Sequence, residues 1–327
     1  MTSTIKTIGI MTSGGDSPGM NAAIRAITRT ALSYNLNVVG IKRGYQGMID
    51  NEMINLSSID VSNIIQRGGT ILKTARSKDF ETKSGRALAF ENIKKHNIDA
   101  LVLIGGDGTM RGAEVFFNEY QIPAVGLPGT IDNDLVGSDF TIGFDTAVNT
   151  AIEAIDKIRD TASAHNRIFI IEVMGRDAGY IALHAGISCG AEHIFIPELS
   201  ESINDFILQI NNDQERKKLS NIIIVSEGDE IGGGLEVFNL VKEKIPKAEV
   251  RLTILGHIQR GGNPTANDRV LASRLGYNAV LALLENKKQV MVGVVNNEIA
   301  YTPFSACTKT HTVFSKDLQE IIKVLSK

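Results

Sequence analysis

Short apolar runs recur along this chain, each followed by a glycine-bearing or polar stretch and then by a segment whose apolar residues fall three and four apart. The first kind of segment predicts a buried strand, the second an amphipathic helix. The first half predicts strands over Lys6 to Thr12, Leu36 to Ile41, Ala100 to Ile104 and Pro123 to Leu127. Its helices are predicted over Met20 to Ser33, with Pro18 just ahead, over Leu88 to His96 and over Met110 to Glu119. A second round predicts helix Asp145 to Ala164, strand Ile168 to Val173, helix Tyr180 to Ser188 and strand Ile194 to Ile196. It continues with helix Ile203 to Asn211, strand Ile222 to Val225, helix Leu235 to Lys244 and strand Val250 to Leu255. Helix Asn267 to Leu284, an antiparallel pair within Val290 to Pro303 and helix Leu318 to Leu325 close the chain. Alternation of this kind predicts an α/β fold, with mainly parallel sheets covered by helices.

At 327 residues the chain suits two domains, each of about 150 residues. No long low-complexity linker separates the two rounds, which predicts closely packed domains and leaves room for segments to be exchanged between them. The net charge of -3 supplies no basic field for nucleic acid or an anionic membrane, so a phosphate ligand must be attracted locally. No apolar run approaches the ~20 residues of a membrane span. The start, MTSTIKTIGIM, leads straight into a strand without a signal peptide's regions, so a cytoplasmic location is expected. Cys189 and Cys307 lack metal-ligand spacing and read as inert thiols in a reducing compartment.

Three motifs follow predicted strands: GGD at Gly14 to Asp16, GGDGT at Gly105 to Thr109, and PGTIDND at Pro128 to Asp134. Ligands of open α/β sheets bind beyond the carboxyl ends of the strands. Glycine there lets phosphates approach backbone N–H groups, although a glycine after a strand is as often only a tight turn. Asp107, without a carboxylate neighbour in its loop, suits one direct or water-mediated contact to Mg²⁺. No Walker A Gly-Lys-Ser/Thr is present. Asp132 and Asp134 are two apart, so in an extended segment both carboxylates face one way; the competing reading is a helix cap or turn. A carboxylate in direct reach of a hydroxyl is what proton abstraction requires. Together these are the parts of a phosphotransferase.

The GGDGT and PGTIDND stretches, with IGIMTSGGDSPGMNAAIR near the start and GHIQRGGNPTANDR in the last third, resemble ATP-dependent 6-phosphofructokinase of the bacterial type over nearly the whole chain. The resemblance implies two Rossmann-like three-layer α/β/α domains. Residues 1–143 with 259–309 would bind ATP, and residues 144–258 with 310–327 fructose 6-phosphate. It assigns Gly15, Arg76, Ser77, Gly106, Asp107, Gly108 and Thr109 to ATP, with Asp107 on magnesium. Asp132 becomes the base, Thr130 a substrate contact, Asp134 a helper near the transferring group, and Arg76 the cation bridging donor and acceptor. The sugar phosphate is assigned to Thr130, Ile131 and Asp132, to Arg167, to Met174, Gly175 and Arg176, to Glu227 and Arg251, and to His257, Ile258, Gln259 and Arg260. In that family Arg167 and Arg251 reach a neighbouring subunit, which implies a homotetramer. Pyrophosphate-dependent relatives typically carry Asp at the position of Gly108 and Lys at that of Gly129, so glycine at both favours ATP.

Arg25 and Arg29, four apart on one helix, share a face; alone they read as a solvated surface. The resemblance places there an activating nucleoside diphosphate, ADP or GDP, or the inhibitor phosphoenolpyruvate. Further contacts are implied from Arg159, Gly190 and Glu192, and from Arg216, Lys218 and Ser220. Ser58 and Asn63 stand where regulated members commonly have Arg and Asp, and Arg216 and Ser220 replace a commoner Lys and His, so effector identity stays open. The alternatives are a pyrophosphate-dependent enzyme, a lipid or NAD kinase sharing a GGDGT-like loop, and a non-catalytic sensor. The joint presence of Asp107, Asp132 and Arg76 argues against the last.

Overall fold

The computed structural model describes residues 5–162, 167–199, 206–208, 210, 221–309 and 316–325. In chain order it contains β1 (Thr7–Thr12), α1 (Met20–Ser33), β2 (Asn37–Ile41), α2 (Gly44–Ile49), β3 (Met53–Asn55), α3 (Lys83–Lys95), β4 (Ala100–Gly105), α4 (Asp107–Tyr120) and β5 (Ala124–Pro128). Then follow α5 (Phe144–Ala162), β6 (Ile168–Val173), α6 (Tyr180–Cys189), β7 (His193–Phe195), β8 (Asn221–Ser226), α7 (Gly234–Lys244), β9 (Val250–Ile254), α8 (Ala266–Leu284), β10 (Val290–Val295), β11 (Glu298–Pro303) and α9 (Lys316–Leu325). The helix expected over 203–211 lies largely outside the described residues.

The chain divides into two units. The first comprises Met1–Ile131, Leu135–Thr146 and Arg260–Thr310, the second Asp132–Asp134, Ala147–Gln259 and His311–Lys327. In the first unit the sheet order is β11-β10-β5-β4-β1-β2-β3, and the strands from β2 to β10 pair in parallel. Both edges are antiparallel additions, β3 on β2 and β11 on β10. Strands β1, β4 and β5 are buried throughout, as a parallel sheet covered on both faces requires. Their pleat sorts the core into two layers. Ile8, Ile10, Val102 and Ile104 meet Ile24 and Ile27 of α1 and Leu275 of α8, whereas Met11, Leu101 and Leu103 meet Met48, Met110 and Phe116. That alternation makes the unit three layers thick.

The second unit holds a four-stranded sheet of order β7-β8-β6-β9, all parallel. Val237 and Val241 of α7 pack with Ile168, Ile170, Ile223 and Val225. Among the described residues no helix is long and apolar enough to cross a membrane.

Two helices start earlier than their apolar spacing indicates. α3 begins at Lys83 because Thr82 caps it, its Oγ1 accepting the Gly85 N–H at 3.0 Å. α4 begins at Asp107, inside the GGDGT motif, because a glycine-rich first turn carries no apolar signal. The same weakness hides α2, whose six residues include two glycines, and the three-residue β3 is too short to show a period.

Burial pushes the Cys189 and Cys307 thiols up to about 11, with the negative charge of Asp156 adding to the rise at Cys189. Both are therefore protonated near neutrality. Iodoacetamide near pH 7 is expected to label the native protein at least ~10-fold more slowly than free cysteine, with full reactivity returning in urea. Native labelling at the free-cysteine rate would contradict this environment.

Candidate functional site

Because β1, β4 and β5 are adjacent and parallel, the three motifs all leave the carboxyl edge of one sheet. The Ser13 N–H donates to the Ile104 carbonyl at 3.0 Å, and the Gly129 N–H to the Gly105 carbonyl at 3.0 Å. A Cβ on Gly105 would lie 2.4 Å from Thr109 Oγ1 and 2.6 Å from the Ser13 carbonyl oxygen, so only glycine lets the loops approach this closely. Gly106, by contrast, faces open space, and Gly108 has only the tip of Arg111 at 4.0 Å. Gly106 caps α4 without a side chain, so the first-turn N–H groups are not covered by a capping side chain. Such a terminus favours a phosphate oxygen.

Asp107 is the first residue of α4 rather than the strand tip that its sequence position suggests. Its Oδ2 pairs with Arg111 Nη2 at 2.9 Å, a neighbour hidden from a motif reading but visible at i+4 spacing. Among the described residues no group of three or more His, Cys, Asp or Glu side chains converges. Tyr45 donates its hydroxyl to the Thr109 carbonyl at 2.5 Å and stacks on Phe80, bracing the turn from below.

The segment bearing Arg76 and Ser77 is tied to the tip of β1. Thr12 Oγ1 donates to the Lys73 carbonyl at 2.8 Å, and the Arg43 N–H to the Leu72 carbonyl at 2.8 Å. Ser77 Oγ donates to Gln46 Oε1 at 2.7 Å and accepts the Phe80 N–H at 3.2 Å. Arg76 is exposed. Arg260, assigned to the sugar by resemblance, lies against the first glycine loop. Its Nη1 donates to the Asp16 carbonyl at 3.2 Å and would sit 2.7 Å from a Cβ on Gly15.

The TIDND segment is not extended. Asn133 takes a left-handed φ of 53°, so the two-residue alternation that would aim Asp132 and Asp134 one way does not apply. Both carboxylate residues are buried, as is Ile131, and Thr130 is half-buried. Gly129 is closely packed, since a Cβ there would meet Ile104 Cγ2 at 2.8 Å and the Gly105 nitrogen at 3.1 Å. Its glycine thus has a packing reason independent of any ligand.

A carboxylate that sequence reasoning passed over secures this loop. Asp268, in the first turn of α8 and 1% exposed, accepts the Gly143 N–H at 2.7 Å, the Thr146 N–H at 2.8 Å and the Thr146 hydroxyl at 2.5 Å. The Thr265 N–H occupies Thr146 Oγ1 at 3.0 Å, which leaves the Thr146 hydrogen to Asp268. Thr141 Oγ1, in the same segment, donates to the Thr130 carbonyl at 2.6 Å. Burial raises the Asp268 carboxyl above the usual range, opposed by its Thr146 and Gly143 donors. The signal available in the sequence was the Thr265-x-x-Asp268 spacing, a helix-start pattern inside GHIQRGGNPTANDR.

In the second unit, Met174, Gly175 and Arg176 follow β6, Glu227 follows β8, and His257, Ile258 and Gln259 lie in a short 3₁₀ turn after β9. Glu227 Oε1 accepts the Arg176 N–H at 2.8 Å and the Gly175 N–H at 3.3 Å. Gln259 is fully buried, its Oε1 accepting the Met174 N–H at 2.9 Å, so it positions that strand tip. His257, Ile258 and Arg176 are exposed. Arg167 and Arg251 are not brought to this edge. They sit at the amino ends of β6 and β9, and a six-residue strand separates them from Met174, a run of roughly 20 Å. Both lie against Glu249, which no motif had marked.

Of the residues assigned to an effector, Arg159 donates to the Cys189 carbonyl at 2.6 Å and the Gly190 carbonyl at 3.2 Å. Glu192 is buried and accepts the Ile222 N–H at 2.6 Å. Arg25 is half-buried and Arg29 exposed on α1 of the other unit. Arg216, Lys218 and Ser220 lie outside the described residues.

Comparison with known proteins gives a consistent set. A family model described as Phosphofructokinase matches residues 7–283. The ATP-dependent 6-phosphofructokinase 2 of Bacteroides thetaiotaomicron is 53% identical over 323 residues, covering 99% of both chains. The ATP-dependent 6-phosphofructokinase of Cytophaga hutchinsonii is 54% identical over 98% of both. A phosphofructokinase structure from Saccharomyces cerevisiae matches at TM-score 0.86 and 36% identity over 98% of this chain, which spans 46% of that longer one. A pyrophosphate-dependent phosphofructokinase of Marinobacter aquaeolei shares the fold, at TM-score 0.83 and 23% identity over 98% of this chain and 91% of that one.

Replacing Asp268 by Ala strands two buried N–H groups and a hydroxyl. The expected cost is about 3 kcal/mol of stability, read from urea unfolding, against a smaller loss for Thr146→Val. Equal, negligible losses would show that the network does not secure the segment.

Proposed function

Because this chain belongs to the phosphofructokinase family, we propose that it transfers the γ-phosphoryl group of ATP to the 1-hydroxyl of fructose 6-phosphate, giving fructose 1,6-bisphosphate and ADP. The observation that carries this reading is the near-full-length likeness to enzymes named as ATP-dependent. Asp132 takes the 1-hydroxyl proton as the oxygen attacks the γ-phosphorus. The bond from that phosphorus to the β–γ bridging oxygen breaks, and ADP leaves with its electron pair. Positioning and charge neutralisation supply most of the acceleration in such a transfer. Arg76 serves both, bridging donor and acceptor phosphates, while Thr130 and Asp134 hold the reacting groups.

Gly15, Ser77, Gly106, Gly108 and Thr109 receive the nucleotide, and Asp107 is the residue that would hold the accompanying Mg²⁺, whose contribution is neutralisation of phosphate oxygens. One acidic group at a helix start, exchanging Arg111 for the ion, suits a metal that keeps most of its water. The open space at Gly108 supports a nucleotide donor; the packing around Gly129 makes that position a weaker guide.

The first unit is the nucleotide domain and the second the sugar-phosphate domain in this reading. The placement of Arg167 and Arg251 at the edge opposite Glu227 supports a site completed by a neighbouring subunit, and with it a homotetramer. In this reading Arg25, Arg29, Arg159, Gly190, Glu192, Arg216, Lys218 and Ser220 are effector contacts that neighbouring subunits supply for ADP or GDP and for phosphoenolpyruvate. A glycolytic role implies a cytoplasmic enzyme.

A coupled assay should show phosphorylation of fructose 6-phosphate with Mg-ATP and little with pyrophosphate; the reverse preference would refute the donor. Asp132→Ser should lower turnover by ~10²–10⁴ with ATP half-saturation nearly unchanged. An unaltered rate would remove Asp132 from the mechanism. Gly108→Asp should weaken ATP use, and undiminished ATP kinetics would undo the donor argument.

A further inference from the structure

Glu249 stands where the amino ends of β6 and β9 meet. The Ile168 N–H donates to the Glu249 carbonyl at 3.0 Å, and the register sets Phe169 opposite Arg251. This pairing places the Arg167, Glu249 and Arg251 side chains together. One carboxylate oxygen, Oε1, lies 2.5 Å from Arg251 Nη2 and 2.9 Å from Arg167 Nε. The Arg251 contact is a hydrogen bond. The Arg167 contact is an ion pair only, because its buried Nε–H finds no acceptor in hydrogen-bonding geometry. Two guanidinium groups thus share a single anionic oxygen, and one of them retains an unused donor.

That is the seat an oxygen of a phosphomonoester takes between paired arginines, since the planar guanidinium fork suits phosphate geometry. From this geometry we infer that Glu249 is an internal stand-in for the phosphate of the substrate. It holds the Arg167 and Arg251 pair together when no substrate is bound, and it competes with the incoming 6-phosphate. The inference rests on the reading of Arg167 and Arg251 as sugar-phosphate ligands. The three side chains are 25%, 45% and 51% exposed for Arg167, Glu249 and Arg251, so water screens both arginine contacts. A phosphomonoester near neutrality carries up to two charges and three acceptor oxygens. It can satisfy Arg251 and the idle Arg167 Nε–H at once, whereas a monoanionic carboxylate offers no more than Glu249 already supplies. Glu249 therefore sets a threshold that phosphomonoesters pass and simple carboxylates do not. It tunes affinity without touching the reacting atoms.

Glu249→Gln keeps the shape and one acceptor while removing the charge. Half-saturation by fructose 6-phosphate should fall by about three-fold or more, as expected for losing a pair of exposed ion-pair competitors. Its dissociation constant, from calorimetry without ATP, should fall in parallel, with turnover and ATP half-saturation unchanged. Inorganic phosphate should become a stronger competitor against fructose 6-phosphate by a similar factor. Thermal unfolding of the variant checks that the fold is retained. Arg251→Ser is measured alongside. If Arg251→Ser raises half-saturation while Glu249→Gln leaves it unchanged or raises it, the stand-in role is wrong and the sugar-phosphate reading survives. If Arg251→Ser has no effect, the phosphate seat lies elsewhere and both ideas fall. Tighter binding in Glu249→Gln together with weaker binding in Arg251→Ser is the result that establishes the role.

Discussion

The parallel pairing of β1, β4 and β5 is the constraint from which the nucleotide side of this molecule follows. Parallel hydrogen bonding aligns the strand directions, so the chain must leave all three strands at the same sheet edge. Burial on both faces fixes the register, since a one-residue slip would turn Ile8, Ile10, Val102 and Ile104 out of one core layer and into the other. With register fixed, Ser13, Gly105 and Gly129 are linked by backbone hydrogen bonds across the strand tips. The loops converge because the ladder leaves them no alternative, and glycine at 105 makes the final approach sterically possible.

Holding the loops takes a second set of interactions that the strands do not supply. Thr12 anchors the segment bearing Arg76, Tyr45 braces Thr109, and Asp268 gathers the donors of Gly143 and Thr146. Each anchor is a buried or half-buried polar group satisfied by a backbone partner. Losing any of them exposes unsatisfied groups rather than only removing a contact. Asp268 is the extreme case, a nearly fully buried carboxylate engaged by three donors, and its location at the start of α8 ties a distant helix to the segment that follows TIDND.

The second unit obeys the same rule with a different outcome. Its parallel sheet sends Met174, Gly175, Arg176 and Glu227 to one edge and leaves Arg167 and Arg251 at the other. Residues proposed to serve one ligand therefore stand at opposite ends of the strands of a single chain. In the proposed reading a neighbouring subunit would reconcile this with the chemistry, while within one chain Glu249 contacts both arginines.

By itself the sequence determined the α/β class, most strands and long helices, and the glycine-bearing motifs that end β1, β4 and β5. These are local properties: apolar spacing reports which face is buried, and glycine after a strand reports a turn. Only the structure showed that Asn133 bends TIDND out of extension and that Gly129 is glycine for packing. It likewise singled out Asp268 and Glu249, whose partners are separated from them in sequence by up to 125 residues. Such pairings depend on which strand lies beside which, and that order is set by burial across the whole sheet rather than by any window of neighbouring residues.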